Sequence, residues 1–201
     1  TGDAGTHMMI DAGHNTSSGW RPSTMLHQRR ISVLDRLLIT NCDEDHASDL
    51  ANVLTVAQVR VLHRNRSIGK QDILQLKGQD GAGAGIAALT GMLETFVHPV
   101  AHEPDFGALQ IKSFWNTYPK DFDDENNLSI LSVLSWPNFS IAYPGDLEVA
   151  GWRMLLQRPE VRQALSGINV LVASHHGRLN GFTPEIFEAT GMQPQLVIVS
   201  D

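Results

Sequence analysis

The chain has 201 residues, 42% of them hydrophobic, enough to bury a sizeable core as one globular domain over 1–201 or as two tightly joined halves. A formal charge of -7 gives no bulk attraction to nucleic acid or to an anionic membrane, so a polyanionic substrate would need local cations such as metal ions. Cys42 is the only cysteine, which excludes an internal disulfide and points to a reducing, cytoplasmic setting.

No apolar stretch approaches the roughly 20 residues needed to span a bilayer, and no charged start with an apolar core suggests a signal peptide. Apolar runs alternate with helical stretches, the pattern of a layered α/β protein. A first run, 8–10, ends in Asp11. Residues 31–40 predict a strand that ends in Asn41-Cys42-Asp43-Glu44-Asp45-His46, and 47–56 predict a helix with Leu50, Val53 and Leu54 on one face. A short strand is expected over 59–62 and a helix over 86–95. Strands over 109–114, 128–134 and 139–143, the last after a turn at Pro137-Asn138, imply a partly antiparallel sheet. Helices over 151–157 and 159–165, a buried strand over 169–173, a helix over 184–189 and a strand over 196–199 complete the chain.

Three motifs carry little. The glycine-rich run Asp80-Gly81-Ala82-Gly83-Ala84-Gly85 lacks the spacing of a dinucleotide or Walker loop and is expected to be a flexible surface loop. Ser67-Ile68-Gly69-Lys70 matches the serine-x-x-lysine of serine β-lactamases without its companion motifs. The acidic run over 121–125 reads as a solvated loop. His98 and His102 are four apart, but Pro99 breaks the helix that would align them as ligands.

The chemistry concentrates where four apolar runs end: at Asp11, at the 41–46 cluster, at Pro144-Gly145-Asp146 and at Ser174-His175-His176-Gly177. In an extended segment Asp43 and Asp45 point the same way and can converge on one cation, with His46 beginning the next helical turn. Carboxylate and imidazole together suit zinc, manganese or iron. The alternative is an acidic helix N-cap at Asp43 or Asp45 with His46 exposed. For Asp146 the alternative is likewise a cap on the helix beginning near Leu147. Two adjacent imidazoles followed by Gly177 are poorly explained by packing.

Taken in order, Asp11, Asn-x-Asp-x-Asp-His, Pro-Gly-Asp and His-His-Gly resemble the metallo-β-lactamase superfamily, specifically its competence-protein ComEC-like branch. The resemblance covers nearly the whole chain and implies a four-layer αββα sandwich, cut short at its C-terminal end. It implies metal ligands at Asn41, Asp43, Asp45, His46, Asp146 and His175, a catalytic set of Asp45, His176 and Arg178, and a supporting role for Asp11 behind the ligands. The cofactor implied is one or two divalent ions, zinc or manganese. Asn41 stands where the family has histidine, and a neutral amide is a poor zinc ligand, so that position is weakened or altered toward a harder ion.

The expected mechanism is metal-assisted hydrolysis. A cation held by Asp45, His46, Asp146 and one of the paired histidines would lower the pKa of a bound water. Asp45 would orient that water or take a proton, and the second histidine or Arg178 would steady the developing charge. By the resemblance, the substrate is a small-molecule or nucleic-acid phosphodiester. A degenerate member that binds a ligand or partner without turnover is the competing reading, motivated by Asn41.

Overall fold

A computed structural model of the chain describes residues 5–78 and 82–200. The protein is mixed α/β, and its chain divides into two compact units, Thr1–Gly107 and Ala108–Asp201. Among the described residues no helix is long and apolar enough to cross a membrane.

In the first unit, strand β1 (Met8–Ile10) leads to helix α1 (Pro22–Gln28), then β2 (Val33–Leu34) and β3 (Arg36–Leu38). Helices α2 (Glu44–Ala47) and α3 (Leu50–Val56) follow, then β4 (Gln58–Val59), β5 (Leu62–His63), α4 (Lys70–Lys77) and α5 (Ala84–Thr95). Parallel strands β1, β3 and β5 form one sheet with β3 in the centre, and β2 pairs with β4 in a second. Arg36, Leu37 and Leu38 of β3 are all buried, as a central parallel strand requires. Leu26, Leu50, Val53, Ile86 and Leu89 build the helical side of the core, where α1 and α5 pack on α3.

The strand expected over 31–40 is two strands in two sheets. The chain changes partners at Asp35, a buried residue whose N–H donates to the His7 carbonyl and whose carboxylate accepts from the His7 N–H and from Arg60 Nη1. The strand expected over 59–62 divides in the same way into β4 and β5. The helix expected over 47–56 is broken at Ser48 and Asp49, because the loop after β1 inserts there. Asp49 N–H donates to Ala12 O at 2.8 Å, and Ser48 Oγ accepts from His14 N–H. The fully buried Asp49 carboxylate then caps α1, accepting from Ser23 N–H and Arg21 Nη1, each at 2.9 Å.

Two helices lack a strong sequence signal. Helix α1 starts at Pro22 and takes its cap from Asp49, distant in sequence. Helix α4 buries only Ile73, and the serine-x-x-lysine segment is its N-terminus. There Gly69 N–H donates to Asp72 Oδ2, Lys70 pairs with Glu94, and Ser67 hydrogen-bonds Asn65, so Ser67 and Lys70 have separate structural partners. Of the glycine-rich run expected as a surface loop, Ala82 and Gly83 are exposed and outside any element, while Ala84 and Gly85 begin α5. Asp80 and Gly81 lie outside the described residues, but a Cβ at Gly83 would sit 2.3 Å from Glu44 Cδ and one at Gly85 would sit 2.2 Å from Ala47 O. Those glycines let α5 approach α2 closely, and the Glu44 carboxylate accepts from Gly85 and Ile86 N–H at the start of α5.

The second unit begins with β6 (Gln110–Phe114), β7 (Leu131–Trp136) and β8 (Phe139–Tyr143), an antiparallel run. Helices α6 (Val149–Leu156) and α7 (Pro159–Leu165), strand β9 (Val170–Val172), helix α8 (Glu185–Thr190) and strand β10 (Leu196–Ile198) follow. The sheet order is β10-β9-β8-β7-β6, with β8, β9 and β10 parallel. Trp152, Leu155 and Leu165 of the helices pack with Phe114, Leu131, Val133, Ala142 and Leu171 of the sheet. The 121–125 run is a loop in which Asp121 accepts from Thr117 N–H and Asp124 from Asn127 N–H.

Candidate metal centre

In the first unit the ends of β1 and β3 bring Asp11, Thr40 and His46 together. Asp11 has a left-handed backbone, φ 57°, and its N–H continues the sheet by donating to Leu38 O. Its carboxylate accepts from Thr40 N–H at 2.7 Å, from Thr40 Oγ at 2.6 Å and from His46 Nδ1 at 3.0 Å. A carboxylate in that contact receives the imidazole proton, so Nδ1 carries N–H and Nε2 keeps its lone pair. His46 Nε2 lies 3.8 Å from Asp45 Oδ1. His46 is buried, its Nε2 included, and Asp45 beside it is half exposed. The turn that carries them rests on the loop after β1: a Cβ on Gly13 would stand 1.8 Å from Asp45 O. The exposed His46 of the capping alternative is therefore not what the structure holds.

Asp43 does cap α2. Its carboxylate accepts from Glu44 N–H and pairs with Lys77 Nζ at 2.6 Å. Burial pushes the Asp43 carboxyl up, but the hydrogen bonds from Lys77 and Glu44 N–H and the Lys77 charge outweigh it and leave the pKa below the usual value. Asp43, expected as a metal ligand, is thus committed to a lysine and a helix terminus. Asn41 is buried, 2% exposed, in the turn before α2. His98 and His102 do not join His46; they line a separate cavity beside β5.

In the second unit Asp146 follows β8 in a turn made by Gly145, φ 59°. Helix α6 begins at Val149 with Glu148 as its N-cap residue, so Asp146 is not the cap considered from sequence. Asp146 is buried, its N–H donating to Ser129 Oγ, and its Oδ2 lies 3.6 Å from His176 Nε2. His176 Nδ1 is 3.2 Å from the Ser200 carbonyl just past β10. A carbonyl only accepts, so this nitrogen is the donor and Nε2 again holds the lone pair.

His175, expected as the metal ligand, faces protein on both ring nitrogens. Arg178 Nη1 donates to Nε2 at 2.9 Å, and Nδ1 stands 3.5 Å from Glu148 Oε1. Since a guanidinium only donates, His175 Nε2 is unprotonated and its proton sits on Nδ1 toward Glu148. Of the paired histidines it is His176, placed by sequence among the catalytic residues, that lies beside Asp146, while Arg178 is bound to His175. Both histidines have left-handed backbones, φ 51° and 55°. With Asp11 they account for three of the four non-glycine residues of positive φ among the described residues, a strain that clusters at sites held for a purpose.

Asp45 and His46 in the first unit, and Asp146 and His176 in the second, each pair a carboxylate with an imidazole, the donor types that suit a metal ion. Sequence reasoning missed Thr40, Glu148 and the Ser200 carbonyl; only the last two lack any signal, since Thr40 closes an apolar run next to the cluster. No protein-family model matches the chain, and no curated protein matches it.

Proposed function

We propose that the protein is a metal-dependent hydrolase of the metallo-β-lactamase type, with the four-layer αββα arrangement and ComEC-like affinity that its motif order suggests. In this reading Asp45 and His46 in the first unit, and Asp146 and His176 in the second, are ligands for divalent metal, zinc or manganese. The observation that carries it is that each imidazole has Nδ1 within hydrogen-bond reach of a protein oxygen, Asp11 in one case and Ser200 in the other, which favours the tautomer whose lone pair is on Nε2. A structural histidine needs no such repetition.

When bound, the cation would supply an acidified water and a positive charge for a phosphoryl oxygen. The half-exposed Asp45 would take the proton from the attacking water. Arg178 would hold His175, and through it the backbone of the His176 turn, rather than touch substrate. The substrate class, a phosphodiester, rests on the motif resemblance.

The test is metal content by mass spectrometry together with hydrolysis of bis(p-nitrophenyl) phosphate and single-stranded DNA in supplemented zinc or manganese. Stoichiometric metal is expected, reduced in His46→Ala and in Asp146→Ala. No stoichiometric metal, and no turnover above the Asp146→Ala background, would overturn the reading. A second reading, binding without turnover, is favoured by the buried Asn41. It predicts stoichiometric metal with no hydrolysis, and Asn41→His would then raise metal affinity or stoichiometry.

A further inference from the structure

The first unit contains a cavity of about 810 Å³ between the chain around β5 and residues 95–104, which follow α5. Its polar wall is basic: Arg60, Arg64, Arg66, His98 and His102, against a single carboxylate, Asp35, among the described residues. Asp35 is engaged by Arg60 Nη1 at 2.7 Å. Arg64 is held differently, its Nη1 donating to the carbonyls of Asn65 at 2.8 Å and Ile68 at 2.5 Å. Those contacts fix the guanidinium through carbonyls and supply no carboxylate. Arg66 is exposed and pairs with no carboxylate among the described residues.

The two guanidinium groups feel each other. Burial pushes the Arg64 pKa down, Cys42 opposes that shift, and the Arg66 charge adds a smaller push downward. Neighbouring His63 is driven to about 4 by burial, Arg36 and Arg66. A half-buried guanidinium, Arg64, beside an exposed one, Arg66, is an arrangement that an oxyanion relieves, and the guanidinium fork matches phosphate geometry. Opposite lie Phe96, Val97 and Pro99, an apolar surface with room for the body of a ligand.

We propose that this cavity binds a phosphate-bearing small molecule of nucleotide size, with its oxyanion at Arg64 and Arg66 and its apolar body along Phe96 and Val97. The volume suits such a ligand. A long polyanion fits less well, because the chain as a whole carries -7. The inference goes beyond the proposed hydrolysis and is independent of it.

The experiment is calorimetric titration of the full chain with adenosine 5′-monophosphate, inorganic phosphate and adenosine, in EDTA so that no anion is held through a cation. The nucleotide should bind and adenosine should not. Arg66→Glu and His98→Glu, both at exposed positions, should each weaken nucleotide binding at least 10-fold with the circular dichroism spectrum unchanged. Inorganic phosphate binding as tightly as the nucleotide, and lost in the same variants, would support the oxyanion site and identify free phosphate as its source. Absence of binding by both phosphate and nucleotide, equal binding of adenosine, or an affinity indifferent to both variants would overturn the proposal. Because EDTA is present throughout, failure here is distinct from failure of the metal-dependent reading.

Discussion

Asp11 illustrates how one side chain sets the protonation of another. It joins the ends of two strands and fixes the tautomer of His46, so its loss should be read first in metal binding. Asp11→Ala is expected to weaken zinc or manganese affinity about 10- to 100-fold, measured by competition with a chelating dye. Gly13→Ala tests the adjacent backbone contact. The new methyl would meet a main-chain carbonyl at 1.8 Å, which cannot swing aside like a side chain, so a loss of about 2 kcal/mol or more is expected in urea unfolding. At this scale the sequence was partly legible. The cluster at 41–46 announced itself because its acids and histidine are neighbours in the chain. The choice between His175 and His176 did not, since both residues have positive φ and the strand-like alternation used to orient side chains fails there. The pairing of Asp43 with Lys77 was not legible either, because the two are remote in sequence.

At the scale of elements, Glu44 of α2 acts as the N-terminal cap of α5, a service no local motif could reveal. Glu44→Ala should cost about 1–2 kcal/mol of stability, while Glu44→Gln should retain much of it, as thermal melts of the two variants would show. The same reliance on distant partners explains which elements were readable. Helix α7 and strand β8 follow from their own residues, a proline start in one and an apolar run after a turn in the other, and both have the expected bounds. The breaks at Asp35 and at Ser48-Asp49 are imposed by His7 and Ala12, so no pattern within the broken segments foretold them.

For the whole molecule, charge is unevenly placed: a chain of net -7 carries arginines around β5 dense enough to hold His63 neutral. The His63 pKa is depressed from 6.5 to about 4, so the unfolded chain takes up its proton first as the pH falls. The contribution of His63 is fully present above pH 6.5 and is lost between 6.5 and about 4, by up to about 3 kcal/mol. Denaturant unfolding at pH 7, 5.5 and 4.5 should show that decline, and His63→Gln should flatten it; an unchanged slope in the variant would assign the acid sensitivity elsewhere. Composition exposed the net charge but not this local reversal, which arises because a short strand and the segment after α5 face one cavity.

The two imidazoles that share a tautomer differ in what holds them, a carboxylate for His46 and a main-chain carbonyl for His176. Genetic scanning would see them unequally. An alanine survey would flag Asp11 and pass over Ser200 as silent, because truncating a hydroxyl leaves the peptide oxygen where it was. Half of the support behind such a pair is thus invisible to side-chain mutagenesis, and only a backbone edit at that bond, such as an ester replacement, would bring it to light.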